Sequence, residues 1–112
     1  MFVEKVGKND VTVIHLTRRQ FDASCSDEIA EKLTESLDRA DKVVINIEEV
    51  QLMDSSGLGV LLNAYKDINA KNGELCIVTD NQVILNLFDL VYLNSIVKVF
   101  PTLDEAISHI DN

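Results

Sequence analysis

Short apolar runs at four places along the chain, residues 11–16, 42–47, 74–78 and 96–100, predict β-strands, because valine and isoleucine favour extended structure. Residues 1–6 alternate loosely between apolar and polar positions and are expected to form an edge strand. Gly7-Lys8-Asn9-Asp10 separates the first two predicted strands. A polar turn of this kind between two strands predicts a hairpin at the start of the chain.

Four other stretches repeat apolar residues every three or four positions, which is the spacing of one helix face. Ser26 is expected to cap the first helix, and the second is expected to run from Ser56 to about Ala70. Asn94-Ser95 is expected to break the third. The predicted buried faces comprise Ile29, Leu33 and Leu37; Leu58, Leu61, Leu62, Tyr65 and Ile68; Ile84, Leu87, Phe88 and Val91; and Leu103, Ala106, Ile107 and Ile110.

After the hairpin, strands and helices alternate along the chain. This order predicts an α/β fold in which most of the sheet is parallel and one edge strand is antiparallel. A length of 112 residues fits one domain with its own core. We therefore expect residues 1–112 to form a single domain.

Asp54-Ser55-Ser56-Gly57 lies between the third predicted strand and the second helix. In α/β sheets, the loops that follow strand carboxyl ends are where binding residues gather. A helix start offers unpaired N–H groups and partial positive charge, so it tolerates a phosphate. Gly57 and Gly59 keep the first turn free of bulk, so another surface could approach. A serine hydroxyl here could accept a phosphoryl group, although a serine before a helix is more often only a cap.

The longer string Asp54-Ser55-Ser56-Gly57-Leu58-Gly59-Val60-Leu61-Leu62, preceded by an apolar strand and Met53, resembles the signature of STAS domains. More narrowly, it resembles the anti-sigma factor antagonists, and the resemblance extends over nearly the whole chain. It implies a STAS-type single domain, with a mostly parallel mixed β-sheet, an N-terminal antiparallel hairpin strand and about four helices.

The resemblance also implies a mechanism. The unphosphorylated protein would bind an anti-sigma factor that is also a serine kinase, and would thereby free the sigma factor. Phosphorylation of Ser55 would end the binding, and a PP2C-type phosphatase would restore it. By position, Ser55 is the acceptor and Ser56 a cap and orienting residue. The partner-binding residues would be Asp22, Asp54, Ser55, Ser56, Gly57, Leu58 and Gly59, and the free protein would be a monomer.

The segment before the first helix departs from the family pattern. Phe21-Asp22 matches it, but Arg19 stands where a glycine is usual. Arg18 and Arg19 therefore add positive charge beside the expected site. Asp22 carries over as the acidic residue near the phosphorylatable serine, and it fits an Asx turn or a helix entry equally well.

The formal net charge of −9 argues against nucleic acid or an anionic membrane as a partner, because both require a basic surface. The chain has neither a signal-peptide pattern nor an apolar run of about 18 residues, so a cytoplasmic protein is expected. Cys25 and Cys76 form no metal-binding motif with a histidine. We expect no metal and no cofactor, with Cys76 in the core and His109 suited to the end of the last helix.

The sequence around Ser55 does not match the enzyme motifs that place a serine or a glycine at such a turn. The residue two before it is Met53, so there is no nucleophile elbow, and no lysine follows Gly57 or Gly59 as a P-loop requires. We therefore predict that the protein is not an enzyme. Two alternatives stay open: a STAS-type subunit of another machine, such as a lipid-transport ABC system, that binds an ATPase without phosphoswitching; and a nucleotide-binding or enzymatic α/β domain.

Overall fold

A five-stranded mixed sheet lies at the centre of the computed structural model, which describes residues 1–112. The seven strands of the chain are β1 Phe2–Val6, β2 Val11–His15, β3 Gln20–Phe21, β4 Lys42–Asn46, β5 Leu52–Met53, β6 Glu74–Val78 and β7 Lys98–Phe100. The helices are α1 Ser26–Leu37, α2 Ser55–Ala70, α3 Gln82–Leu90 and α4 Leu103–Ile110, and a 3-10 turn spans Leu93–Ser95.

The strand order of the large sheet is β1-β2-β4-β6-β7. β1 pairs with β2 in antiparallel register, with Phe2 opposite His15, and all other pairs in this sheet are parallel. The predicted α/β fold with one antiparallel edge is therefore confirmed. The carboxyl ends of the parallel strands all lie on one side of the domain, and the helices that follow these strands begin there.

The central strands β2, β4 and β6 divide their side chains between two cores, as the two-residue period of a strand requires. One face packs against α1, α2 and α3, and the other packs against α4. The first core takes Ile14, Ile45 and Ile77, and the second takes Val13, Val44 and Cys76. Cys76 lies in the core as predicted, and burial raises the pKa of its thiol to about 12, with the Glu74 charge adding to the shift.

A second sheet of two short strands was not predicted. β3 pairs with β5 in parallel, with Gln20 opposite Leu52 and Phe21 opposite Met53. The backbone carbonyl of Arg19 also accepts from the N–H groups of Gln51 and Leu52, at 2.7 and 3.1 Å. Strands of two residues have no period for sequence reasoning to detect. They hold the loop before α1 against the chain that enters α2.

The prediction that Ser26 caps α1 is wrong. Ser26 is the first residue of the helix and is buried, and Cys25 occupies the cap position without a side-chain hydrogen bond. The carbonyl of Asp22 accepts instead from the N–H groups of Cys25 and Ser26, at 3.1 and 3.0 Å. Because a backbone turn leads into the helix, the serine hydroxyl is not needed as a cap.

The third helix ends earlier than predicted. It stops at Leu90, and Tyr92 adopts a left-handed conformation with φ of 60°. The turn redirects the chain, so Leu93 is buried, while Val91, predicted to be buried, is 51% exposed. Leu90 and Tyr92 are about three-quarters exposed, at 76% and 75%. An apolar surface is therefore left uncovered beside α2.

Candidate functional site

Ser55 is the first residue of α2 and is exposed. The N-cap of the helix is Asp54, whose Oδ1 accepts from the backbone N–H groups of Ser56 at 2.9 Å and Gly57 at 3.3 Å. The expectation that Ser56 caps this helix is therefore wrong. Because a carboxylate takes the capping role, the Ser55 hydroxyl is available for chemistry at a helix start, where the backbone tolerates a phosphate.

Asp54 also connects two segments that are distant in sequence. Its second oxygen, Oδ2, accepts from the backbone N–H of Ala23 at 3.3 Å. The loop that carries Asp22 is thereby held against the start of α2. This contact brings the loop of Asp22 and the carboxylate of Asp54 to one region of the surface.

Replacing Asp54 with alanine is expected to destabilise the protein by about 1–2 kcal/mol, because the cap and the tether to Ala23 are lost together. Asp54→Asn keeps an amide oxygen that can cap the helix, so the expected loss is smaller. Urea denaturation of both variants tests this. Equal losses in the two variants would show that the charge of Asp54, and not its capping geometry, stabilises the fold.

Asp22 forms the Asx turn that the sequence allowed. Its Oδ1 accepts from the backbone N–H of Ser24 at 3.0 Å and from the Ser24 hydroxyl. The hydroxyl bond, the backbone bond and the nearby positive charge of Arg18 lower the pKa of the Asp22 carboxyl. Asp22 therefore carries a stable negative charge beside the start of α2.

The two arginines lie beside the small sheet. The Arg19 Nη2 donates to Gln51 Oε1 at 3.0 Å. Arg18 and Arg19 line an open polar recess of about 570 Å³ together with Gln20, Gln51 and Leu52. Ser55 is not part of this recess, so the side chain of Arg19 is directed to Gln51 rather than to the serine.

Ser55 instead lies at the edge of an apolar groove of about 300 Å³, which we call the α2 groove. Its lining consists of Ser55, Leu58, Gly59 and Leu62 from α2, with Val91, Leu93 and Ile96 from the segment after α3. The second wall was not predicted, because the helical period assigned Val91 to the core. The signal was an excess of apolar residues between 90 and 97, more than one helix face can bury.

The two glycines of the motif have different surroundings. A Cβ at Gly57 would lie 2.6 Å from the Phe21 carbonyl oxygen and 2.8 Å from Met53 Cγ. A Cβ at Gly59 would have no atom within 4 Å. Gly57 is thus required by the close approach of the small sheet to α2, whereas the fold leaves space above Gly59, in the α2 groove.

The fold and the site together define a STAS domain. The family model described as "STAS domain" matches residues 2–106, and the chain belongs to this family. Its sequence is 30% identical over 108 residues to an anti-sigma F factor antagonist of Paenibacillus polymyxa. The aligned residues cover 95% of this chain and 89% of that relative.

Two solved structures show the same fold. An anti-sigma factor antagonist from Mycobacterium paratuberculosis superposes with a TM-score of 0.86 at 19% identity, over 99% of this chain and 94% of the other. The Bacillus cell fate determinant SpoIIAA in its phosphorylated form superposes with a TM-score of 0.73 at 22% identity, over 97% of each chain. None of the helices has the length and apolar character needed to cross a membrane.

Proposed function

We propose that this protein is an anti-sigma factor antagonist whose binding surface is switched by phosphorylation of Ser55. The observation that supports this most directly is an exposed Ser55 hydroxyl, relieved of capping by Asp54, at the edge of the apolar α2 groove. The relative from Paenibacillus polymyxa is named for the same activity. The partner is an anti-sigma factor serine kinase, and the protein acts in the cytoplasm as a binding protein without catalysis of its own.

Phosphorylation transfers the γ-phosphoryl group of ATP to Ser55 Oγ, releasing ADP, while a base of the kinase takes the hydroxyl proton. The new group adds a charge of about −1.5 to −2. The start of α2 tolerates it in the free protein. In the complex the same charge is desolvated near the carboxylates of Asp54 and Asp22, so the binding is weakened. A PP2C-type phosphatase restores the unmodified serine.

The proposed binding surface combines the α2 groove with the acidic loop. Ser55, Leu58 and Gly59 line the groove, and Ser56 follows the acceptor on the same turn. Gly57 is buried, so it supports the surface through the backbone contact with Phe21 and not by touching the partner. Apolar side chains of the partner fit the groove, and the free protein is a monomer.

Phosphopeptide mapping of the protein purified from its own host tests the proposal. We expect phosphate on Ser55, not on Ser56, with an occupancy that changes between growing and stressed cells. Ser55→Ala should abolish the modification, and the neighbouring Ser56→Ala should leave it. An unmodified Ser55 under every condition would contradict the switch and favour a STAS-type subunit that binds an ATPase constitutively.

A further inference from the structure

Glu74, Cys76 and His109 meet on the side of the sheet that faces away from α2. One possible ligand atom of each residue lies within 4.8 Å of the others. The Nε2 of His109 is 2.8 Å from Oε2 of Glu74. Cys76 is buried, Glu74 is exposed and His109 is partly buried, so the cluster lies at the edge of the core and opens to solvent.

The fold explains why these three residues come together. Glu74 and Cys76 are two residues apart on β6, so their side chains project from the same face of the sheet. α4 covers that face and places His109 over the start of the strand. The ring of Phe100 lies against the His109 imidazole, with centroids 5.2 Å apart, which restricts its orientation. Sequence spacing alone could not reveal the cluster.

We propose that Glu74, Cys76 and His109 form a binding site for a borderline-soft divalent metal ion of the zinc class. A thiolate, an imidazole and a carboxylate are the donors that zinc takes in proteins, and a water would complete four-coordination. In a tetrahedral site, ligand atoms about 2.0–2.3 Å from the metal lie roughly 3.5 Å apart. The observed spacing requires only small side-chain movements, for which exposed Glu74 has room.

Charge in the surroundings is compatible with a divalent ion. A carboxylate and a thiolate supply two negative charges at the site. Lys42, opposite Glu74 in the sheet, has its Nζ bound to the carbonyls of Ile110 and Asn112, at 2.9 and 2.8 Å. Lys98, opposite Cys76, is exposed and free to turn to solvent. The ion would link α4 to β6 without contact with the α2 groove.

Cobalt is the direct probe, because thiolate-bound Co²⁺ absorbs in the near ultraviolet. Titration of the full chain with CoCl₂ at mildly alkaline pH, with a phosphine reductant, is expected to give this band, and one equivalent of Zn²⁺ should remove it. His109→Gln should weaken metal binding by about tenfold or more, since even outer-shell losses cost 10–100-fold. Zinc should also raise the Tm of the parent protein and not of His109→Gln.

The chain provides matched controls for both ligand types. His15 forms the other histidine–carboxylate pair, 3.0 Å from Glu4, and Cys25 is the other buried thiol. His15→Gln and Cys25→Ser should therefore keep the cobalt band, while Cys76→Ser should lose it. Absence of the band in the parent protein, or a cobalt affinity of His109→Gln equal to that of the parent protein, would overturn the proposal. The cobalt measurement requires no kinase. The proposed metal site is therefore tested independently of the proposed antagonist function.

Discussion

Ser55→Asp is expected to weaken binding of the anti-sigma factor kinase by at least about 30-fold, or about 2 kcal/mol, since like charges brought together in an interface cost several kcal/mol. The aspartate places a permanent charge beside Asp54 at the edge of the α2 groove. Ser55→Ala should bind like the parent protein and accept no phosphate. Calorimetry with the purified kinase measures both affinities.

A control separates local repulsion from the effect of added net charge. Ser108 is an exposed serine on α4, and this helix covers the face of the sheet away from α2. Ser108→Asp adds the same charge to a protein that already carries −9, and we expect it to change the affinity by less than about twofold, since distant exposed charges are screened. Equal affinities of Ser55→Asp and Ser55→Ala would refute the switch.

The alternation of strands and helices was predictable because each long element has a clear period. The apolar runs at 42–47 and 74–78 are buried on both faces of a parallel sheet, which is why they read as continuous apolar stretches. The capping roles were less predictable. Asp54, Ser55 and Ser56 are all residues that cap helices, and the sequence does not indicate which one lies just outside the first turn.

The walls of the α2 groove were predictable only in part. Leu58 and Gly59 follow from the motif, but the second wall depends on the left-handed turn at Tyr92. A tyrosine carries no signal for that conformation, which glycine and asparagine adopt more readily. The segment that follows this turn buries Leu93 and Val97 in the larger core, and this tertiary preference outweighs local propensity.

Gly57→Ala is expected to lower the free energy of unfolding by about 2 kcal/mol, the middle of the range for overpacked sites. The new Cβ would meet the backbone oxygen of Phe21 at 2.6 Å, and β3 cannot retreat without breaking its pairing with β5. The better helix propensity of alanine, worth up to about 1 kcal/mol, offsets only part of this. The small sheet, and with it the loop of Asp22, should loosen.

Gly59→Ala provides the matched comparison, two residues further along the same helix. Its Cβ would enter open space, so we expect the stability to rise by roughly 0.5–1 kcal/mol through helix propensity alone. Kinase binding should nevertheless weaken, because the methyl group fills part of the α2 groove. Urea denaturation of the pair, followed by affinity measurement for Gly59→Ala, separates a glycine that the fold requires from one that only the interface requires. If Gly59→Ala binds the kinase as tightly as the parent protein, the groove is not the contact surface.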